Sequence, residues 1–289
     1  MNKEIINWLL EEDNPAVKYR TQIELLGKTA DNTDAKAWIF GKFPEAWHET
    51  KGLWFTYYIT ALAECGMKYG DIALEHLQKA FDGFDSIFDC SCGDFMLLRA
   101  LVKLGCGNNE TVRQTIEKAG EHMLPDGGFL CLHRLDKLKY APKSCYKANI
   151  HALMLASECK KNNIECPFTG RLTEYFWGHN IFYRTDDKST LVLNARSGWR
   201  TIDTFYPFEV MRVGLQNIVE SFSALGYGND ERLSQAWDML VGHKDESGKV
   251  LLGGTLTKSY LPKERVGKPS KWVTFYTLLA EKERAHYAF

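Results

Sequence analysis

Cys90, Cys92, Cys131 and Cys145 fall within about 55 residues, and each sits beside a break between predicted helices rather than inside one. Thiols placed there can converge on a metal or a substrate. Cys65, Cys106 and Cys159, by contrast, lie on the apolar stripes of helices, where a buried structural thiol belongs. The Cys90-Ser91-Cys92 pair with Cys131 and Cys145 supplies four soft ligands, the number and type that suit tetrahedral zinc, with His133 as a substitute or fifth ligand. A helix N-terminus also favours a thiolate, so reactive or redox thiols are a second reading and incidental cysteines a third.

Composition frames these readings. The chain has 289 residues, of which 45% are hydrophobic and 13% aromatic, ample for a substantial core in a single domain over residues 1–289. Thirty-six basic residues against 37 acidic leave a net charge of −1, which carries no nucleic-acid or anionic-membrane footprint. No apolar run approaches the ~18 residues of a membrane span, and the start reads as no signal peptide, so a cytoplasmic location is expected. Eight cysteines in that compartment read as thiols or ligands rather than as a disulfide framework.

The elements that must position the thiols are helices. Asn14-Pro15 is a cap followed by proline at a first helical position. Runs ending in Cys65-Gly66, Leu104-Gly105 and Leu225-Gly226 each close an apolar period of 3.6 on glycine. About twelve helices follow from such signals, near 4–11, 15–26, 35–47, 51–65, 70–82, 92–105, 110–123, 144–161, 169–179, 205–225, 230–243 and 268–284. Residues 104–130 align without a gap to 225–251 at an offset of 121, with about a third of positions identical. The repeated unit is a helical hairpin. Alternate helices are apolar nearly all round, which predicts an all-α fold of about six hairpins, an α/α toroid with inner and outer helix rings.

Leu124-Pro125-Asp126-Gly127-Gly128-Phe129 resembles the Gln-Asp-Gly-Gly-Trp turns of the terpenoid cyclase and protein prenyltransferase toroids. Roughly residues 50 to 285 resemble bacterial prenyltransferase or squalene-cyclase repeat proteins, most closely at Asp89-Cys90-Ser91-Cys92, at Asp126 through Cys131 and at Gly267 through Thr274. The resemblance implies a central cavity for a small apolar, isoprenoid-like molecule. Two departures stand against direct transfer of an activity. The Asp-Xaa-Asp-Asp motif of class II cyclases is missing, its nearest counterpart being Arg184-Thr185-Asp186-Asp187 in a polar loop. Lys143-Ser144-Cys145-Tyr146 matches the prenyltransferase zinc motif Asp-Xaa-Cys-Tyr only in part, with lysine where that motif has aspartate, and Trp272 through Tyr276 offers no histidine.

If the starts of the inner helices share one end of the ring, Cys90, Cys92, Cys131, Cys145 and His133 gather there. Asp94, two residues after Cys92, is the first choice for a general acid or for a group supporting a metal ligand. Tyr58, Tyr206 and Trp272, near predicted inner-helix starts, are catalytic candidates at the mouth of a cavity; aromatic core is the alternative for each. Three functions stay open on these residues: an enzyme acting on an apolar substrate beside a cysteine-ligated zinc, a noncatalytic scaffold with a structural zinc or none, and a glycan-processing toroid enzyme.

Overall fold

A computed structural model describes residues 2–43, 45–135, 139, 142–194, 199–209, 212–254 and 264–287. The protein is all-α. In chain order the helices are α1 (Lys3–Leu9), α2 (Pro15–Arg20), α3 (Thr33–Phe40), α4 (Leu53–Glu64), α5 (Leu74–Ile87), α6 (Cys92–Leu101) and α7 (Glu110–Glu121). They continue with α8 (Leu132–Leu135), α9 (Tyr146–Lys161), α10 (Thr169–Gly178), α11 (Leu215–Phe222), α12 (Ser234–Gly242) and α13 (Lys271–His286). Among the described residues the only ladder is a two-residue antiparallel pairing of β1 (Leu193–Asn194) with β2 (Trp199–Arg200).

Burial follows the apolar pattern. Helix α4 is buried from Phe55 to Glu64, α9 from Ala148 to Cys159 and α13 from Lys271 to Ala280, so each is enclosed on all sides. Helix α7 buries only Val112, Thr115, Ile116 and Ala119, one stripe of an otherwise polar surface. The enclosed helices are neighbours in order: α4 packs on α6, α6 on α9, α9 on α11, α11 on α13, and α13 on α2 and its π-helical extension Thr21–Leu25. The more exposed helices lie against this series, α3 on α2, α10 on α9 and α12 on α11, while α5 meets α7.

The sequence repeat is also a backbone repeat. Helices α6 and α11 both end in a π-helical turn, Val102–Cys106 and Ser223–Tyr227, whose glycines Gly105 and Gly226 take φ of 95° and 97°. Only glycine adopts that left-handed conformation without strain, so the glycine fixes where the chain reverses. One expectation fails. Residues 205–209 and 212–214 are not helical, and the helix expected over 205–225 begins at Leu215. Pro207 disfavours helix at Tyr206, and Gly214 runs so close to Asp203 that a Cβ there would lie 2.4 Å from its carbonyl oxygen.

A charged network ties the first and last enclosed helices together. The Glu64 carboxylate at the end of α4 accepts from Arg99 at 2.6 Å, from Arg20 at 3.1 Å and from the Tyr276 hydroxyl, and Lys103 stands 3.4 Å away. Arg20 also donates to the Tyr276 oxygen at 2.7 Å and to Glu24, and Arg99 donates to the Pro207 carbonyl at 2.6 Å. Burial alone would raise the Glu64 carboxyl, yet Lys103, Arg99 and Arg20 with the Tyr276 hydroxyl hold it at about 2. The carboxylate is therefore ionised in the core, where one anion organises three cations.

Candidate metal and thiol site

The Asp-Gly-Gly-Phe turn sets the geometry. Asp126 accepts the Gly128 N–H at 3.2 Å and, across the turn, the Ser144 N–H at 3.1 Å and its hydroxyl at 2.5 Å. A Cβ on Gly128 would lie 2.4 Å from Asn149 Nδ2 and 2.5 Å from Ser144 Oγ, so the bare backbone lets the segment after the turn lie against the start of α9. That segment is pinned on both sides. Phe129 donates to the buried Asn149 Oδ1 at 2.7 Å and accepts from the Cys145 N–H at 2.7 Å, while Leu132 donates to the Asp89 carbonyl at 2.9 Å. Cys131 is thereby held between the residues before α6 and those before α9.

Asp89, Cys131 and His133 converge. One potential ligand atom from each, a carboxylate oxygen, the sulfur and a ring nitrogen, lies within 4.8 Å of the other two, and among the described residues this is the one group of three or more such side chains. The Asp89 carboxylate accepts the His133 backbone N–H at 2.7 Å, and its other oxygen is 2.5 Å from His133 Nδ1. The His133 side chain is 60% exposed against 21% for Asp89, so the group opens to solvent on the histidine side. Burial, then the charges of Cys145 and Asp89, raise the Cys131 thiol.

Cys92 and Cys145 lie outside this group of three. Cys92 is the first residue of α6 and Cys145 the N-cap of α9, two helices that pack on one another. The neighbouring Cys92 thiol, with the Ala148 and Lys147 N–H groups and the Lys147 charge, holds the Cys145 thiol below its ordinary range against the opposing effect of burial, while Cys92 is raised. Cys90 is fully buried with φ of 51°, a left-handed conformation that a residue with a side chain rarely takes. Its thiol is pushed up to about 12 by burial and by Asp94 and Asp89.

The four cysteines of the sequence analysis are thus divided: Cys131 stands with Asp89 and His133, Cys92 opens α6, Cys145 precedes α9, and Cys90 is enclosed beside Asp89. Asp89 itself went unassigned in the sequence. Its signal was its place directly before Cys90-Ser91-Cys92, matched by the Cys131-Leu132-His133 spacing. Asp94 accepts the N–H groups of Ser91 at 2.9 Å and Asp89 at 3.0 Å, and its own N–H donates to Ser91 Oγ at 3.3 Å. This is a capping box that also fixes the turn carrying Asp89. Burial raises its carboxyl.

The aromatic candidates pack into groups of their own. Tyr206 stacks on Phe208 at 5.3 Å between ring centroids, Phe208 meets Trp272 edge-on at 5.4 Å, and the Tyr206 hydroxyl accepts the Glu264 N–H at 2.8 Å. Tyr58 lies against Phe43 at 5.3 Å with its hydroxyl 3.3 Å from His76 Nδ1. All three candidates are buried. Cys65, Cys106 and Cys159 are buried as their helical stripes implied. Among the described residues no helix is long and apolar enough to cross a membrane. No protein-family model, curated protein or solved structure matches the chain.

Proposed function

We propose that this chain is an α/α toroid that binds zinc through Asp89, Cys131 and His133 and uses the ion in catalysis. The ring reading is supported by the ordered series α4, α6, α9, α11, α13 and by the Glu64, Arg20 and Tyr276 contacts that join its ends. The convergence of three chemically different ligands within 4.8 Å carries the metal reading. Oxygen, sulfur and nitrogen donors together suit zinc better than a hard cation such as magnesium, which takes oxygen ligands. Three protein ligands leave a fourth position for a water or a substrate, the pattern of a catalytic centre. There the ion would acidify a bound water or thiol. By resemblance the substrate is a small apolar, isoprenoid-like molecule.

A second reading is favoured by one observation. The Cys145 N–H donates to the Phe129 carbonyl at 2.7 Å, which holds the start of α9 against the segment carrying Cys131, and a Cys145 thiolate taken as a fourth ligand would close the site and make the zinc structural. Elemental analysis of the purified protein tests both. The expected result is one zinc per chain, lost in Cys131→Ser and in His133→Ala; metal-free wild-type protein after growth in zinc-replete medium would sink both readings. X-ray absorption then separates them: one sulfur ligand marks the open centre and two or more the closed one.

A further inference from the structure

A groove of about 390 Å³ lies between the Asp-Gly-Gly turn, the residues before α9, the last turns of α10 and the loop that follows it. It shares no residue with the Asp89, Cys131 and His133 group. Its volume falls within the range of small-molecule sites, about 300 to 1,000 Å³. The walls are fixed from two sides. A Cβ on Gly127 would lie 2.8 Å from the Arg171 carbonyl oxygen, so the turn packs directly on α10, and Arg171 donates to the Leu124 carbonyl at 2.8 Å. On the other side Asn180 and Ile181 take φ of 42° and 65°, a left-handed conformation that is costly at a β-branched residue. The chain thereby reverses after α10, and Arg184 through Asp186 return to line the same groove.

The inner wall is aromatic and the rim polar. Tyr175 is 6% exposed and its ring centroid lies 4.5 Å from that of His179, whereas the Arg184 and Asp186 side chains are 54% and 49% exposed. The polar groups offer both halves of a hydrogen bond. Asp126 Oδ1 already accepts from Gly128 and Ser144, but among the described residues Oδ2 accepts only the Ser144 N–H and has a lone pair to spare. Arg184 spends two N–H groups on Asp186, at 3.0 and 2.8 Å, and keeps the others. His179 Nδ1 lies 2.6 Å from the Tyr183 carbonyl, which only accepts, so Nδ1 carries the proton and Nε2 keeps the lone pair of the neutral ring. Burial favours that neutral form. Two cations, Lys143 and Arg184, stand against the carboxylates of Asp126, Glu174 and Asp186. Such a balance selects neither an anion nor a cation, and a wholly apolar molecule would leave the polar groups without partners. We propose that this groove binds a neutral saccharide, with the Tyr175 and His179 rings against a face of the sugar and Asp126, Glu174 and Arg184 taking its hydroxyls. Each sugar hydroxyl both donates and accepts, which matches the mixed rim, and the C–H face of the ring suits an aromatic wall. The groove does not depend on the proposed zinc for this binding.

The test titrates the full chain with neutral sugars, namely glucose, galactose, mannose and N-acetylglucosamine, and with two charged ones, glucuronate and glucosamine. Calorimetry reads the affinity, and amide shifts of the labelled protein read the place. The expected result is that at least one neutral sugar binds with a Kd below about 10 mM and more tightly than either charged sugar, with shifts at Tyr175 and His179. Glu174→Ala and Arg184→Ala, both at exposed positions, should each weaken that sugar by about tenfold or more. Glu117→Ala, in a separate groove beside Asn163, should leave it unchanged. The proposal is overturned if no neutral sugar binds, if a charged sugar binds more tightly than all of them, if the shifts fall outside the groove, or if either groove variant binds as tightly as the wild type. The wild-type shifts decide the place even where a variant fails to fold. Because the readout is sugar affinity and not metal content, its failure is distinct from failure of the zinc reading.

Discussion

Asp89 grips His133 at two points, one carboxylate oxygen accepting the backbone N–H at 2.7 Å and the other lying 2.5 Å from Nδ1. The aspartate thus orders the four-residue helix α8 as well as offering a ligand. Asp94 works one step behind it, through the N–H of Asp89. The two aspartates should separate on substitution. Asp89→Asn removes the ligand charge and should abolish stoichiometric zinc binding, whereas Asp94→Ala, which removes the acceptor of the Ser91 and Asp89 N–H groups, should weaken it by about 10- to 100-fold, as loss of a supporting partner does. Loss of the cap should also lower stability by about 1 kcal/mol. Competitive zinc titration and urea unfolding check the pair.

Glu64 gives the fold an acid limit. Its carboxyl is held at about 2 against an ordinary 4.5, so its stabilising contribution is fully present above pH 4.5 and is lost as the pH falls through 4.5 towards 2. The size is on the order of 3 kcal/mol. Glu64→Gln leaves Arg20, Arg99 and Lys103 together without their anion, and should cost about 3 to 5 kcal/mol at pH 7 while flattening the acid limb of the stability profile. Thermal unfolding from pH 7 to pH 3 reads both effects.

Gly128 is required for its missing side chain. A Cβ would meet Asn149 Nδ2 at 2.4 Å and Ser144 Oγ at 2.5 Å, and both neighbours are already hydrogen-bonded in the turn. Gly128→Ala should destabilise by about 1 to 3 kcal/mol and shift the segment that carries Cys131. Zinc affinity should therefore fall with stability, although Gly128 touches no ligand. Gly170→Ala is the comparison, since a Cβ there meets nothing within 4 Å. Because Gly170 lies within α10, its stability should be unchanged or rise by up to about 1 kcal/mol, with the zinc titration unaltered.

The parts legible in the sequence are those governed by local rules. Asn14-Pro15, the Gly105 and Gly226 reversals and the buried apolar runs of α4, α9 and α13 follow from caps, glycine and periodicity, and so does the burial of Cys65, Cys106 and Cys159. The site was legible only in its ingredients. That Cys131 stands with Asp89 and His133 rather than with the other cysteines depends on how the segment after Gly128 is pinned between Asp89 and Phe129, a long-range arrangement with no sequence period. Glu64 was invisible for the same reason, because its partners Arg20, Arg99 and Tyr276 come from three distant elements. Tyr206 and Phe208 read as helical from their apolar neighbours, but Pro207 and the tight approach of Gly214 to Asp203 decided otherwise.

His48 and His76 supply a pH response away from the site. Their rings stack at 4.0 Å with an angle of 11° between planes. Burial, and then the neighbouring His48, lower His76 from its ordinary 6.5. A lowered histidine is stabilising in its neutral form, so this contact is intact above pH 6.5 and is lost as the pH falls below it. Lys79 reinforces the same junction by donating to the carbonyls of His48 and Thr50, and Glu75 lies 4.0 Å from His76, partly opposing the shift. Acidification from pH 7.5 to 5.5 should therefore loosen the short helix Glu45–Glu49 from α5 before the molecule unfolds. Amide hydrogen exchange should show faster exchange over that helix at the lower pH, after correction for intrinsic rates. His76→Gln should remove the pH dependence, and unchanged protection in the wild type across that range would show that the stack carries no proton-linked energy.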